Sequence, residues 1–369
     1  MKYYIISGEA SGDLHASNLM KELKLLDKSP DFRCWGGDLM KEQGGVLVKH
    51  YRDLAFMGFT EVLMNIRTIF KNIDLCKKDI LEHKPDILIL VDYPGFNLRI
   101  AEFAKQNNIK VFYYISPQIW AWKQSRVHKI KKVVDKMFVI LPFEKEFYQR
   151  FDYPVDFIGH PLLDAVANYG KEKNTLELGS DKPVIALLPG SRKQEIATML
   201  PLMLSIKDSY PEYQFVIAGA PSQNKEYYNS LIGDANVPVV FGQTYRLLQR
   251  AEAALVTSGT ATLETALFGV PEVVCYKGGA ISYSIAKQLI KVKYISLVNL
   301  IMDKEIVKEL IQNELNEANL KLELDKLLEK ETRDKLLADY AALKEKLGGA
   351  GASAKAAGLM FAYLNEDKK

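Results

Sequence analysis

The sequence predicts a doubly wound parallel α/β protein, built as two successive Rossmann-like halves. Three observations predict it. Short apolar runs alternate with amphipathic segments almost throughout the chain. The run Ile87-Leu-Ile-Leu-Val91 is apolar without interruption, as expected of a strand covered on both faces. The same pattern then starts again after Gly159-His-Pro-Leu-Leu-Asp164, and 369 residues are too many for one ordinary core.

In the first half, strands are expected at Tyr3–Ser7, Ile87–Val91, Lys110–Ile115 and Met137–Leu141. An amphipathic helix over His15–Leu26 follows the first strand. Asn168–Lys182, rich in Lys, Glu, Gly and Asn, reads as the linker between domains. The second series of strands is expected at Val184–Leu188, Gln214–Ala218, Val237–Phe241, Ala253–Thr257 and Glu272–Cys275, with a helix over Ala261–Phe268. From Asp303 to Leu347 the chain is charged and helical in pattern, with Leu and Ile recurring every three to four residues. Gly348-Gly-Ala-Gly351 breaks that run, and a short Ala-rich helix to Leu364 follows. The expected domains are 1–167 and 168–347, facing across a cleft, with the C-terminal helix of about 348–369 completing the first.

Composition excludes several classes. Apolar content of 48% and charged content of 26% are those of a soluble globular protein. A net charge of +3 is too small to argue a nucleic-acid partner. The three cysteines form no CxxC pair and the five histidines no HxxxH pair, so no disulfide framework, thiolate metal site or zinc site is expected. The N-terminal apolar run is too short for a signal segment, and no uncharged run approaches the roughly 18–20 residues of a spanning helix. The expected location is cytoplasmic, with contact at a membrane surface left open.

The turns after the strands carry the chemistry. Ser258-Gly-Thr-Ala-Thr-Leu-Glu264 links a buried strand to a helix start, where unpaired N–H groups and the helix dipole favour an anion. Ser258, Gly259 and Thr260 would cradle phosphates, and Glu264, one turn in, would take a ribose hydroxyl pair. Leu188-Pro-Gly-Ser-Arg192 closes another strand. There Gly190 and Ser191 can offer amides and Arg192 can pair with a phosphate, against the plainer reading of a structural ion pair. Ser7-Gly-Glu-Ala-Ser-Gly-Asp13 ends the first strand. It reads either as a site for hydroxyl recognition or proton handling, or as a capped turn in which Ser11 or Asp13 bonds the helix start. Asp92, in Asp92-Tyr-Pro-Gly-Phe-Asn97, is held at the end of a buried strand. It suits a general base toward a sugar hydroxyl, or a cap of the following turn. Trp120 and Trp122, followed by Lys123 and Arg126, suit an anionic headgroup or a bilayer interface, with core tryptophans as the plainer alternative. The apolar segment from Leu54 to Phe70 suits an acyl chain, a membrane surface or simply a core helix. Asn299 is a weaker polar candidate.

Taken in order, these segments resemble the lipid-A-disaccharide synthase family, glycosyltransferases of the GT-B class. Gly8-Glu-Ala-Ser-Gly-Asp13, Leu54-Ala-Phe-Met-Gly58, Ser116-Pro-Gln-Ile-Trp-Ala-Trp122, Leu141-Pro-Phe-Glu-Lys145, Phe157-Ile-Gly-His160, Leu187-Leu-Pro-Gly-Ser-Arg192, Ser258–Glu264 and Tyr294–Leu300 carry the resemblance over nearly the whole chain. It implies transfer of 2,3-diacylglucosamine from its UDP derivative to 2,3-diacylglucosamine 1-phosphate, with inversion and release of UDP. It implies no metal or cofactor, and a location on the cytoplasmic face of a Gram-negative inner membrane. A homodimer with exchanged C-terminal segments is also implied. Glu9 and Asp92 fall at the family's catalytic positions. Arg192, Glu264 and Asn299 fall on the nucleotide side, and Ser11, Met57, Trp120, Trp122 and Arg126 are candidates on the acceptor or membrane side. The family often carries a second acid in the Asp92 motif, where Gly95 stands here, so the base is placed at Asp92.

Overall fold

The computed structural model describes residues 1–54, 66–169, 174–279 and 293–366. The chain divides into two compact units, Met1–Asp164 with Leu347–Lys369, and Ala165–Lys346.

The first unit contains β1 (Lys2–Ser7), α1 (Ala10–Leu26), β2 (Asp31–Gly36), α2 (Asp38–Glu42), β3 (Val46–His50), α3 (Ile66–His83), β4 (Ile87–Val91) and α4 (Pro94–Gln106). It continues through β5 (Lys110–Tyr114), α5 (Ile119–Trp122), α6 (Val127–Val133), β6 (Lys136–Val139), α7 (Pro142–Gln149) and β7 (Asp156–Phe157), and α8 (Leu162–Tyr169) crosses the boundary. Its parallel sheet has the order β3-β2-β1-β4-β5-β6-β7. Strand order therefore runs outward in opposite directions from the β1/β4 pair, which are joined in register from Tyr3↔Ile87 to Ser7↔Val91. Every residue of β4 is buried, as its unbroken apolar run requires. On one face of the sheet a polar network survives burial because each group is paired. Trp35 Nε1 donates to the Tyr4 hydroxyl (2.8 Å), which donates to Asp79 (2.7 Å), and Arg33 grips the same carboxylate with two N–H groups.

The second unit runs through β8 (Val184–Leu188), α9 (Lys193–Leu204), β9 (Gln214–Gly219), α10 (Lys225–Ile232), β10 (Val239–Phe241), α11 (Thr244–Leu248), β11 (Ala251–Thr257), α12 (Thr260–Leu267) and β12 (Glu272–Tyr276). It ends with α13 (Leu297–Met302), β13 (Lys308–Ile311), α14 (Glu317–Leu328) and α15 (Lys330–Lys346). The parallel sheet has the order β10-β9-β8-β11-β12-β13, so its order reverses between β8 and β11. The expected linker is partly built into this unit. Asn174 donates to the carbonyl of Arg246 (2.8 Å), and Leu176 is buried in the second core.

After α15 the chain returns to the first unit as α16 (Ala352–Glu366). Ala356, Ala357, Met360 and Leu364 join Ala16, Leu19, Met20 and Leu23 of α1 in one buried cluster. The alanines let the two helices approach closely. The Asp164 carboxylate fixes the start of α16 by accepting from Gly351 N (2.5 Å) and Ser353 N (3.0 Å).

Sequence periodicity gave no expectation of β2, β3, β7 or β13. All but β2 are edge or near-edge strands of two to five residues with polar side chains, whose pairing comes from the neighbouring strand and not from an apolar run. Among the described residues, no helix is long and apolar enough to cross a membrane.

Candidate active site

In an open α/β sheet, ligands bind beyond the carboxyl ends of the strands where strand order reverses. In the first unit that point lies between β1 and β4. Glu9 follows β1, and Asp92 follows β4. Ser7 and Val91 are register partners, so the two acidic turns leave the sheet side by side.

The Asp92 turn is held against conformational strain. Asp92 (φ 43°) and Tyr93 (φ 49°) are consecutive non-glycine residues in the left-handed region, a cost of about 1–3 kcal/mol each. Three hydrogen bonds offset it. Tyr113 Oη donates to the Asp92 carbonyl (2.5 Å), and Asn97 Nδ2 donates to the carbonyls of Asp92 (2.7 Å) and Val91 (3.2 Å). The Tyr93 ring then lies against Gly8, where a Cβ would come within 2.5 Å of it, so only glycine fits. Asp92 keeps a face open to solvent while protein crowds its other sides. That crowding, followed by the negative charge of Glu9, raises its carboxyl to about 7. Glu9 is itself exposed, at the cap position of α1.

Asp13 serves a different purpose. Its buried carboxylate accepts from the main-chain N–H of Gly37 (2.7 Å), Leu39 (3.1 Å) and Met40 (3.2 Å), and so fixes the start of α2. The capping reading expected it at the start of its own helix; that start has no side-chain cap, and the helix it caps is α2. Ser11 is exposed on the first turn of α1.

The Ser116–Trp122 turn follows β5, beside β4. Trp120 is only 9% exposed and packs edge-on against Phe143 (4.9 Å), so of its two sequence readings the core one describes the ring, and the acceptor- or membrane-side one does not. Arg126 is half-buried. Burial and the Asp92 charge raise the Tyr113 hydroxyl well above its usual range, and the Arg126 charge opposes them. Met57 and the Trp122 side chain lie outside the described residues, as does most of the apolar Leu54–Phe70 segment.

In the second unit the reversal lies between β8 and β11, whose ends meet at Leu188↔Val256. The turns at 190–192 and 258–260 therefore emerge together. Gly190 (φ 110°) lies in the left-handed region that favours glycine, and a Cβ there would displace the Glu195 carboxylate, 2.7 Å away. That carboxylate already faces the amides expected for phosphate. Ser191 N (3.3 Å) and Arg192 N (3.4 Å) donate to Glu195, and Arg192 pairs with it at 3.7 Å. These contacts are long and exposed, so an anion of higher charge can replace Glu195 at small cost.

At the second turn, Ser258 spends both donors on protein. Its N–H goes to the carbonyl of Cys275 (3.0 Å) and its hydroxyl to that of Ile295 (2.9 Å). Gly259 and Thr260 are exposed, and no side chain caps α12. The anion-attracting groups are thus the first-turn amides of α12. Glu264 accepts from the Tyr245 hydroxyl (2.6 Å) on one oxygen; burial raises its carboxyl. Tyr245, held by Tyr169 and Phe268, is a partner that the sequence pattern did not disclose.

Asn299 requires a correction. It is fully buried, and its amide is used within the protein. Nδ2 donates to Val307 O (2.8 Å) and Glu309 (2.9 Å), and Oδ1 accepts from Ile306 N (2.7 Å) and Val307 N (3.0 Å). It does not reach a ligand directly.

The model of the family described as lipid-A-disaccharide synthetase matches residues 3–360. The chain belongs to the lipid-A-disaccharide synthase family. It is 41% identical to the lipid-A-disaccharide synthase of Syntrophus aciditrophicus over 98% of this chain and 97% of that one. It is 40% identical to that of Nitrosococcus oceani, over 98% and 95%. Membership makes the chain a glycosyltransferase of lipid A biosynthesis. Its fold is similar to the UDP-GlcNAc 2-epimerase of Neisseria meningitidis bound to UDP-GlcNAc (TM-score 0.67, 14% identity, 98% and 100% coverage). It is also similar to the calicheamicin glycosyltransferase CalG4 (TM-score 0.61, 16% identity, 99% and 98% coverage). At those identities the likeness is one of fold, that of the GT-B class.

Proposed function

We propose that the two switch-point turns divide the work of an inverting transfer of 2,3-diacylglucosamine from its UDP derivative to 2,3-diacylglucosamine 1-phosphate. The observation that carries this reading is the pairing of turns at each reversal of strand order: Glu9 with Asp92, and 190–192 with 258–264. Asp92 takes the proton from the acceptor's 6-hydroxyl as that oxygen bonds to the anomeric carbon. The bond from that carbon to the diphosphate breaks, and UDP leaves with the electron pair. A carboxyl raised to about 7 is well matched to that proton transfer near neutral pH. Glu9 maintains the raised affinity and orients the acceptor. Arg192 and the first amides of α12 stabilise charge developing on the leaving diphosphate, the largest electrostatic demand of the reaction. Glu264, fixed by Tyr245, holds the ribose.

The finer expectations are proposed with it. The enzyme works on the cytoplasmic face of the inner membrane as a peripheral protein. It forms a homodimer in which α16 is exchanged. The α16 face that packs on α1 supports this, because the same face would fit α1 of a second copy.

The deciding experiment supplies both lipid substrates and follows disaccharide and UDP together. Disaccharide with equimolar UDP is expected. UDP-GlcNAc alone, without lipid acceptor, should remain unchanged; its conversion to an epimer would replace this reading with an epimerase. Sedimentation with anionic vesicles and light scattering test the membrane and dimer proposals separately.

A further inference from the structure

Glu309 lies on β13, paired in register with Val274 of β12, and is 7% exposed. A carboxylate buried on a short edge strand requires a reason. Here the reason is a set of donors, two from the main chain and one from a side-chain amide. Glu309 accepts from Ile295 N (3.0 Å), Ser296 N (2.9 Å) and Asn299 Nδ2 (2.9 Å). These bonds fix the segment that enters α13, where Ser296 Oγ also accepts from Asn299 N (3.2 Å). The next link leads to the phosphate turn, since the Ile295 carbonyl accepts the Ser258 hydroxyl at 2.9 Å. On its other side Ser258 N is tied to Cys275 at the end of β12. Ser258 is therefore suspended between β12 and the braced segment, and Gly259 and Thr260 extend from it.

We propose that Glu309, with Asn299, is a positioning residue for the UDP cradle: it acts through Ile295 on the Ser258 turn and does not touch the ligand. This rests on the nucleotide-side reading above and deepens it. Electrostatic stabilisation needs donors fixed before charge develops, so a turn free to shift by a fraction of an ångström loses affinity for the diphosphate. On that reading, the brace gives residues 294–300 a part on the nucleotide side although Asn299 is fully buried.

The test is UDP binding by calorimetry on the full chain, with donor and acceptor KM measured in parallel. Glu309→Gln keeps the size of the side chain but turns one acceptor into a donor facing Ile295 N or Asn299 Nδ2. UDP affinity is expected to fall about tenfold, as for the loss of one well-placed hydrogen bond. Donor KM should rise in proportion and acceptor KM should stay unchanged. Ser258→Ala cuts the same chain at its far end. The double variant should bind UDP no more weakly than the worse single variant, because both cut one linkage. Unchanged UDP affinity in folded Glu309→Gln, losses confined to acceptor KM, or fully additive effects would each overturn the brace. If Glu309→Gln does not fold, Ser258→Ala alone decides. Its hydroxyl is spent on Ile295, so unchanged UDP affinity overturns the proposal and a donor-specific loss supports it. Parent enzyme that fails to bind UDP removes the nucleotide reading and the brace with it. Parent enzyme that binds normally isolates the brace.

Discussion

Replacing Asp92 by Asn tests the chemistry most directly. The change is nearly isosteric, and the main-chain carbonyl gripped by Tyr113 and Asn97 is untouched, so the strained turn should survive. A positioned general base contributes about 10²–10⁴-fold, so kcat should fall by that factor, about 3–5 kcal/mol. UDP affinity should not change. The pH profile adds a second constraint. The base acts deprotonated, so with its carboxyl at about 7, kcat/KM should rise tenfold per pH unit below neutrality and level off above it. Glu9→Gln removes the like charge that is second only to burial in raising Asp92. If the limb then moves down by about one pH unit, the ionised fraction at pH 6 rises from about 9% to about 50%, a gain of about fivefold. The weaker base lowers the plateau, so the ratio of rates at pH 6 and pH 8.5 is the measurement that matters. An Asp92→Asn enzyme retaining turnover within about threefold of the parent would refute Asp92 as base. An unmoved limb in Glu9→Gln would refute the electrostatic coupling even if Asp92 were confirmed.

Three further outcomes are expected. Asn97→Ala removes both side-chain bonds to the Val91 and Asp92 carbonyls at a fully buried site, and calorimetric melting should show a loss of about 1–3 kcal/mol together with reduced turnover. Gly95→Asp should leave kcat within about threefold of the parent, because the proposed base is Asp92, while stabilising the chain by about 0.5–1 kcal/mol. Position 95 lies in the first turn of α4, its Cβ direction is open, and both helix propensity and dipole favour the substitution. Glu272 is fully buried with neither oxygen paired, and burial raises its carboxyl well above the usual range. Its folded-state affinity for the proton exceeds the unfolded one. Its contribution to stability is therefore complete below the ordinary carboxyl range and is lost as pH rises through the elevated value. Glu272→Gln should flatten that decline in chemical denaturation measured from pH 5 to 9.

Much of this was legible in the residue pattern, and the exceptions share a cause. Ile87–Val91 and Val184–Leu188 coincide with their expected strands because an unbroken apolar run leaves few other ways to bury five side chains. β13 escaped because its sequence, Lys-Glu-Leu-Ile, sits in a charged run and its glutamate points inward to brace a loop. The chemistry of a turn could be read from its residue types, but the partners that consume or tune them could not. Ser258 and Asn299 look like free ligand groups in sequence. Only tertiary contacts with Ile295, Val307 and Glu309 show that their donors are spent. Asp13 is the same lesson in the first unit, an acid beside Glu9 that turns out to hold α2.

The two units solve one geometric problem with opposite electrostatics. Each has a parallel sheet whose order reverses once, and each presents two adjacent turns there. In the first, the turns carry Glu9 and Asp92, and their mutual repulsion together with burial keeps a carboxyl protonatable near neutrality. In the second, the turns carry Arg192 and an uncapped helix start, with Glu195 resting on the amides as the resident anion. An acidic turn would repel a diphosphate, and a helix start would hold a nearby carboxylate ionised and weak as a base. Exchanging Asp92 for a residue that cannot titrate, or Arg192 for Ala, should therefore fail differently. The first should lose turnover with UDP binding intact. The second should lose donor affinity and turnover together, because the proposed role of Arg192 is on the diphosphate both before and during its departure.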